Sequence, residues 1–285
     1  MYLNIAVQKL LMYEKFFTDL FSEEDSQIIV IGIPNGNGGK EYVDSIRKQS
    51  WFVEIFDIYK KGNLFDKKLC DIGDITDYEE LSQKLKELFD AKKIPIIITK
   101  GDVASYYACK VLRNVRVVNF DAHTDLLDKY SDEKIESIDG FKDEKVNSST
   151  WLRRASEIIG SHSICIVGLR SLNEDLMKYL EEKKIFYLTP REIRDNIEEA
   201  KDQISMFTEG EKIWINLDVD CFDPSIAPNV DYSEPEGINF KEFCEIVSAF
   251  RGKIIGITLC GGNPMQGNVT EFLSVKSIFE LLSKI

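Results

Sequence analysis

The chain has few histidines: only His123 and His162 occur among its 285 residues. Histidine is the commonest metal ligand among side chains and a frequent catalytic base near neutral pH. A site built mainly from imidazoles, or one that needs two adjacent histidines, is therefore excluded. Any metal chemistry must depend chiefly on carboxylates, and Asp and Glu together number 49.

Cysteine is present, but not in a metal-binding or disulfide pattern. The six cysteines are scattered and form no C-x-x-C pair. Several lie inside apolar runs, where a free thiol behaves as a small hydrophobic group. The spacing therefore predicts neither a disulfide framework nor a zinc–thiolate site.

Long hydrophobic runs and an excess of basic residues are also missing. The longest apolar stretches reach about half the ~20 residues of a membrane helix. Residues 1–12 lack the charged start and continuous apolar core of a signal peptide. We therefore expect a cytoplasmic protein that does not bind membranes. The net charge of −13 argues against a nucleic-acid surface and favours cationic ligands.

Short β-branched runs alternate with longer amphipathic segments along the whole chain. The predicted strands are 27–33, 94–99, 115–120, 164–168, 185–188, 213–217 and 254–259. The predicted helices are 77–92, 104–112, 151–158, 174–183, 190–206, 240–250 and 271–282. Strands that are hydrophobic throughout indicate burial on both faces, as in a parallel sheet. The pattern predicts one domain over residues 1–285, a three-layer α/β/α sandwich around a mainly parallel sheet, with 129–147 as an exposed loop or lid.

Two acidic motifs follow two of the predicted strands. Together they supply five metal-ligand side chains: Asp121, His123, Asp125, Asp218 and Asp220. Ligands of open parallel sheets bind beyond the carboxyl ends of the strands, and alternate positions of an extended segment project to the same side. One such Asp is often only a helix cap, and a lone His is usually structural, but five together predict a metal site. Their carboxylate-rich composition suits a hard or borderline divalent ion such as Mn²⁺.

These motifs resemble those of the ureohydrolases, the family of arginase, agmatinase and formimidoylglutamase. The resemblance rests on Asp121-Ala-His-Thr-Asp125 and on Asp218-x-Asp220-x-x-Asp223-Pro224-x-x-Ala227-Pro228. Further similar segments extend it over nearly the whole chain. Gly32-x-Pro34 with Gly39 and Ile46-Arg47 is similar to the family's first strand and loop, and 97–105 is similar to its Gly-Gly-Asp-His-Ser segment. The segments 167–171, 233–238 and Asn263-Pro264 follow in family order.

The resemblance implies an arginase-like fold and a binuclear manganese centre that activates water for attack on a guanidino or formimino carbon. At matching positions, Asp121 and Asp218 would bridge the two ions. His123 and Asp220 would complete the shell of one ion, and Asp125 would belong to the other. Asp223 looks structural. The family also suggests a homo-oligomer, as trimers or hexamers.

Three positions depart from the family pattern. A histidine ligand of the first ion is replaced by Val103, which has no donor atom. A proton-shuttling histidine is replaced by Ser148, whose hydroxyl does not titrate near neutral pH. A glutamate that pairs with the guanidinium is replaced by Gly261. His162 precedes a strand and would lie nearly ~20 Å from the carboxyl-end site, so we exclude it as a ligand.

The sequence leaves three interpretations open. The first is a divergent metal-dependent hydrolase of C–N bonds with an incomplete binuclear site, and the second is a catalytically silent relative with a binding or scaffolding role. The third, a histone-deacetylase-like enzyme, ranks lowest because the adjacent histidine pair is missing. We predict one tightly bound Mn²⁺ per chain, with the second site weak or empty.

Overall fold

The computed structural model describes residues 14–17, 21–59, 61–63, 68–264 and 268–285. Residues 1–12, considered above for a signal peptide, lie outside them. Eight strands form one sheet: β1 (Ile28–Ile33), β4 (Leu69–Asp74), β5 (Ile94–Thr99), β6 (Arg116–Phe120), β7 (Ile164–Val167), β8 (Phe186–Leu188), β9 (Lys212–Asp218) and β10 (Lys253–Cys260). A short antiparallel pair, β2 (Phe56–Asp57) and β3 (Gly62–Asn63), stands apart.

All pairings within the large sheet are parallel, and the strand order is β4-β1-β5-β10-β9-β6-β7-β8. The described helices are α1 (Gly39–Ser50), α2 (Tyr78–Asp90), α3 (Val103–Leu112), α4 (Glu133–Asp139), α5 (Trp151–Ile159), α6 (Glu174–Lys183), α7 (Pro190–Asp195), α8 (Ile197–Thr208), α9 (Phe240–Ser248) and α10 (Val269–Leu282).

Both faces of the sheet are buried. Along β1, Ile28 and Val30 belong to one hydrophobic cluster, while Ile29 and Ile31 belong to another. Because successive side chains of a strand point to opposite faces, the two clusters are the two interfaces between the sheet and its helices. The predicted α/β/α sandwich around a parallel sheet is confirmed.

Near the start of the chain, the prediction missed β4, the two-residue strands β2 and β3, and one helix. β4 is the edge strand, and its sequence includes Asp71, which is buried against the Arg47 guanidinium with a 2.8 Å contact. A strand that contains a buried charge does not give a continuous apolar signal. Gly39 and Ile46-Arg47 were matched to the family's first strand and loop, but they lie in α1, which follows Gly38 in a left-handed conformation at φ 76°.

Two further boundaries were wrong. The predicted helix 190–206 is two helices, because Asn196 leaves the helical conformation and its side chain caps α8 by accepting from the Glu199 amide. The predicted loop 129–147 contains α4, which buries Ile135 and Ile138 and begins at the Asp132 cap. Among the described residues, the helices are too short or too polar to cross a bilayer.

Candidate metal centre

Four neighbouring strands position the site. β5, β10, β9 and β6 lie side by side, so their carboxyl ends meet at one edge of the sheet. Asp102 follows β5, Cys260 ends β10, Asp218 ends β9 and Asp121 follows β6. The three aspartates line a cavity of about 270 Å³.

Three of the five predicted ligands form what we call the histidine cluster: Asp121, His123 and Asp220. Their ligand atoms lie within 4.8 Å of one another. His123 Nδ1 is 2.9 Å from Asp220 Oδ2 and 3.5 Å from Asp121 Oδ1. The Ala122 amide donates to Asp220 Oδ1 at 3.0 Å. The spacing of the two motifs thus brings these side chains together.

The remaining two predicted ligands lie beside a residue that the sequence did not single out, Asp102. Asp218 joins Asp102 and Cys260 in the cysteine cluster, and Asp125 joins Asp102 and Asp121 in the aspartate cluster. The ligand atoms of each group also lie within 4.8 Å of one another. For Asp102 the available signal was the match of 97–105 to Gly-Gly-Asp-His-Ser, and for both Asp102 and Cys260 it was their place at strand ends.

The carboxylates of the site are almost inaccessible to solvent. Asp102, Asp121, Asp218 and Asp220 are each at most 7% exposed. Burial disfavours the charged form of a carboxyl group, and neighbouring carboxylates add repulsion. Burial and the Asp121 charge raise the pKa of Asp102 to about 8. Burial and the Asp220 charge raise the pKa of Asp218 well above its ordinary value.

The histidine cluster compensates part of its negative charge with His123. Burial opposes the imidazolium, but hydrogen bonds to Asp121 and Asp220 outweigh it and raise the pKa of His123 to about 11. Burial also acts to raise the pKa of Asp121, but its hydrogen bond with His123 and the imidazolium charge bring it below its ordinary value. This cluster is therefore a paired site, in which a divalent cation would replace the imidazolium proton.

A buried polar layer supports the site from below. Asn216 Nδ2 donates to Asp102 Oδ1 at 2.7 Å and to Asn119 Oδ1 at 2.8 Å. Asn119 Nδ2 in turn donates to Asp121 Oδ2 at 3.1 Å. Each asparagine lies two residues before a site aspartate on the same strand, so the period of two that predicted the ligands also marks these partners.

Ser148 orients Asp102 rather than taking the place of the family's histidine. Its hydroxyl donates to Asp139 Oδ1 at 2.6 Å and accepts from the Asp102 amide at 3.0 Å. Val103 is fully buried at the start of α3 and offers no donor atom. The structure thus shows no imidazole at either position.

Gly261 leaves no room for the glutamate that guanidine-cleaving relatives carry. Its φ is +80°, and a Cβ built there would lie 1.9 Å from Asp218 Oδ1. The space is occupied by the Asp218 carboxylate.

His162 is exposed in the turn Ser161–Ser163 before β7, at the opposite edge of the sheet, as expected.

The rest of the cavity wall is mainly apolar and comes partly from the segment predicted as a lid. The apolar and aromatic lining residues are Leu127, Tyr130, Ile135, Ile138, Leu176 and Tyr232. Asp231 also lines the cavity, and its Oδ2 lies 3.5 Å from Lys100 Nζ. The cavity therefore joins a carboxylate-rich floor to a wall that suits methylene groups.

The protein combines two features: a parallel α/β/α sandwich, and a cluster of carboxylates and one histidine at the carboxyl edge of its sheet. The model of the arginase family matches residues 26–283. The chain belongs to the arginase family, and its predicted resemblance to the ureohydrolases is confirmed.

Individual relatives share little sequence identity with the chain, but the similarity covers most of its length. The chain is 27% identical over 247 residues to an uncharacterized 32.2 kDa protein of Methanothermus fervidus, covering 80% of this chain and 81% of that protein. It is 23% identical to the agmatinase of Bacillus anthracis, covering 83% and 82%. The crystal structure of the agmatine ureohydrolase of Thermoplasma volcanium superposes with a TM-score of 0.83 at 21% identity, covering 98% of this chain and 97% of that one.

Proposed function

We propose that this protein is a divergent metal-dependent hydrolase that cleaves a non-peptide C–N bond in a linear guanidino or formimino compound. The histidine cluster carries the proposal, because it places His123 between two buried carboxylates on the floor of a cavity. Family membership supports hydrolysis, and two relatives named above are an agmatinase and an agmatine ureohydrolase.

The donor set suits a hard or borderline divalent ion, and we propose Mn²⁺. Asp121, His123, Asp218 and Asp220 would hold it. A bound ion would lower the pKa of water towards neutrality and so supply a nucleophile. Since Val103 contributes no donor atom, the first family position would bind Mn²⁺ weakly, and one ion would be held tightly.

The cavity supports a linear cationic substrate. Its floor carries the carboxylates of the three clusters, and a wall of low dielectric next to them strengthens the attraction of a cation. The apolar wall around Tyr130 and Ile138 suits a short alkyl chain. Hydrolysis would add water oxygen to the amidine carbon and release the amine with a proton.

The test is an assay of urea, ammonia and formamide release from guanidino and formimino compounds by the Mn²⁺-loaded protein. We expect one of these products, and Asp220→Asn should lower its rate at least ~100-fold, because a proposed metal ligand loses its negative charge. Asp128→Asn is the matched control, since Asp128 is exposed and pairs with Arg154. Equal activity in both variants would contradict the proposed site.

A catalytically silent binding protein is the second candidate, and Gly261 is the observation that favours it. Without a carboxylate there, a guanidinium has no partner at the position used by relatives. In that case calorimetry would detect metal-dependent binding of a guanidino compound without any product.

A further inference from the structure

We propose that Asp102, Asp218 and Cys260 form a second metal site that prefers a thiophilic divalent ion such as Zn²⁺ or Co²⁺ over Mn²⁺. Two carboxylates and a thiolate are a ligand set that suits zinc. This cysteine cluster would replace the first position, which lacks its histidine. The inference does not depend on the proposed hydrolase activity.

The geometry of the cysteine cluster is close to that of a metal site. Cys260 Sγ donates to Asp102 Oδ1 at 2.8 Å, and the ligand atoms of all three residues lie within 4.8 Å of one another. In a tetrahedral zinc site with Zn–S near 2.3 Å and Zn–O near 2.1 Å, sulfur and oxygen ligands are about 3.6 Å apart. An ion that displaces the thiol proton to solvent would need to separate these two atoms by less than about 1 Å.

The Asp218 carboxylate has an unfilled acceptor at this place. Asp218 is only 7% exposed, and its Oδ1 accepts from the Asp220 amide at 2.7 Å. Its Oδ2 accepts no hydrogen bond from any residue that the structure describes. This oxygen is not one of the fully buried side-chain atoms that lack a partner, so it faces the cavity, where a cation or water can satisfy it.

Charge also favours a cation here. Among residues 14–17, 21–59, 61–63, 68–264 and 268–285, no basic side chain lies within 4.0 Å of the carboxylate oxygens of Asp102 or Asp218. His123 is committed to Asp121 and Asp220. The cysteine cluster therefore has no protein cation of its own, in contrast to the histidine cluster.

An ion in the cavity reaches two of the three ligand residues directly, whereas Cys260 is fully buried behind the cavity wall. Asp102 and Asp218 line the cavity, as does Gly261, the neighbour of Cys260. Asn216 and the Ser148 hydroxyl fix Asp102 from two sides, at 2.7 Å and 3.0 Å. Such hydrogen bonds to a ligand residue hold it in place for the metal.

The test uses the full chain with Mn²⁺ already present and then Co²⁺ added. A thiolate bound to Co²⁺ gives charge-transfer absorption in the near ultraviolet, and we expect this band to saturate at one ion per chain and to disappear with Zn²⁺. All samples carry Cys244→Ser, because the other five cysteines are buried and Cys244 is partly exposed. The readout does not involve activity.

Cys260→Ser is the informative variant, since its hydroxyl can still donate to Asp102 but is a poor ligand. We expect it to abolish the band and to lower Zn²⁺ affinity more than ~tenfold, while Mn²⁺ binding at the histidine cluster changes less than about twofold. Asp102→Asn should have the same effect, and Cys260→Ala replaces Cys260→Ser if the latter does not fold. A missing band in the parent protein, or a band that persists in a folded Cys260 variant, would overturn the proposal.

Discussion

The histidine cluster and the cysteine cluster lie at the same edge of the sheet, but they deal with buried negative charge differently. In the histidine cluster, His123 stands between Asp121 and Asp220 and can carry the compensating proton. Burial raises the pKa of Asp220 there, but His123 acts to lower it. In the cysteine cluster, burial raises the pKa values of Asp102, Asp218 and Cys260, and no imidazolium opposes this effect. The comparison shows that one cavity can offer two cation sites of different chemistry.

The largest expected effect separates the two clusters by their preference for Mn²⁺. His123→Ala should lower Mn²⁺ affinity at least ~100-fold, because the site loses its only nitrogen ligand and keeps two repelling carboxylates. Asp102→Asn should change it less than about twofold. Calorimetric titration of metal-free protein measures both, and equal losses in the two variants would mean that a single site uses all the residues.

The next effect tests the close approach of Gly261 to the cysteine cluster. Gly261→Ala should destabilise the fold by about 2–4 kcal/mol, because it combines a left-handed conformation with a Cβ that meets Asp218 Oδ1 at 1.9 Å. Urea unfolding measures this free energy, and Zn²⁺ binding should weaken in the same variant.

Gly210→Ala is the matched control for this effect. Gly210 has a similar φ of +73°, but nothing lies within 4 Å of a Cβ built there. It should therefore show the backbone strain alone, about 1 kcal/mol. If the two variants lose the same stability, Asp218 moves freely and the contact does not define the cluster.

The same two clusters show how far the sequence could predict the site. The D-x-H-x-D and D-x-D motifs are recognisable within short segments, so Asp121, His123 and Asp220 could be proposed as ligands, although Asp121 and Asp220 meet only because β6 and β9 are neighbours. Asp102 and Cys260 come from strands far apart in the chain, and they meet only because β10 inserts between β5 and β9. Strand order is not visible in hydrophobic periodicity, and Cys260 ends an apolar run in which a thiol predicts only packing.

The fold was predicted where its strands are uniformly apolar and missed where charge interrupts them. β5 and β6 were predicted within one residue, whereas β4 was missed because Asp71 depends on a distant arginine for its burial. The two isoleucines of α4 were visible as an i, i+3 pair inside a polar segment, but a single pair does not outweigh the surrounding charge. The homo-oligomer, the cytoplasmic location and the identity of the ion stay predictions.

The smallest effect concerns Asp139, which supports the cysteine cluster through Ser148 but belongs to neither cluster. Burial raises the pKa of Asp139 to about 6, against hydrogen bonds from the Ser148 hydroxyl and amide that act to lower it. Since the pKa in the folded state lies above the ordinary value of 3.8, the folded protein holds more protons between these two pH values. The contribution of Asp139 to stability is therefore present below about pH 4 and is lost as the pH rises through about 6.

Asp139→Asn should remove this pH dependence. Between about pH 4 and 6, its unfolding free energy should fall by about 1–2 kcal/mol less than that of the parent protein. The variant also loses one hydrogen bond at every pH, so the slope, not the absolute stability, is the readout. Asp90→Asn, at an exposed position at the end of α2, controls for the removal of one carboxylate. Parallel curves for Asp139→Asn and the parent protein would show that Asp139 ionises normally. The Ser148 hydroxyl would then hold the Asp102 amide beside an Asp139 that ionises normally. The difference between the two clusters would in that case not extend beyond Asp102.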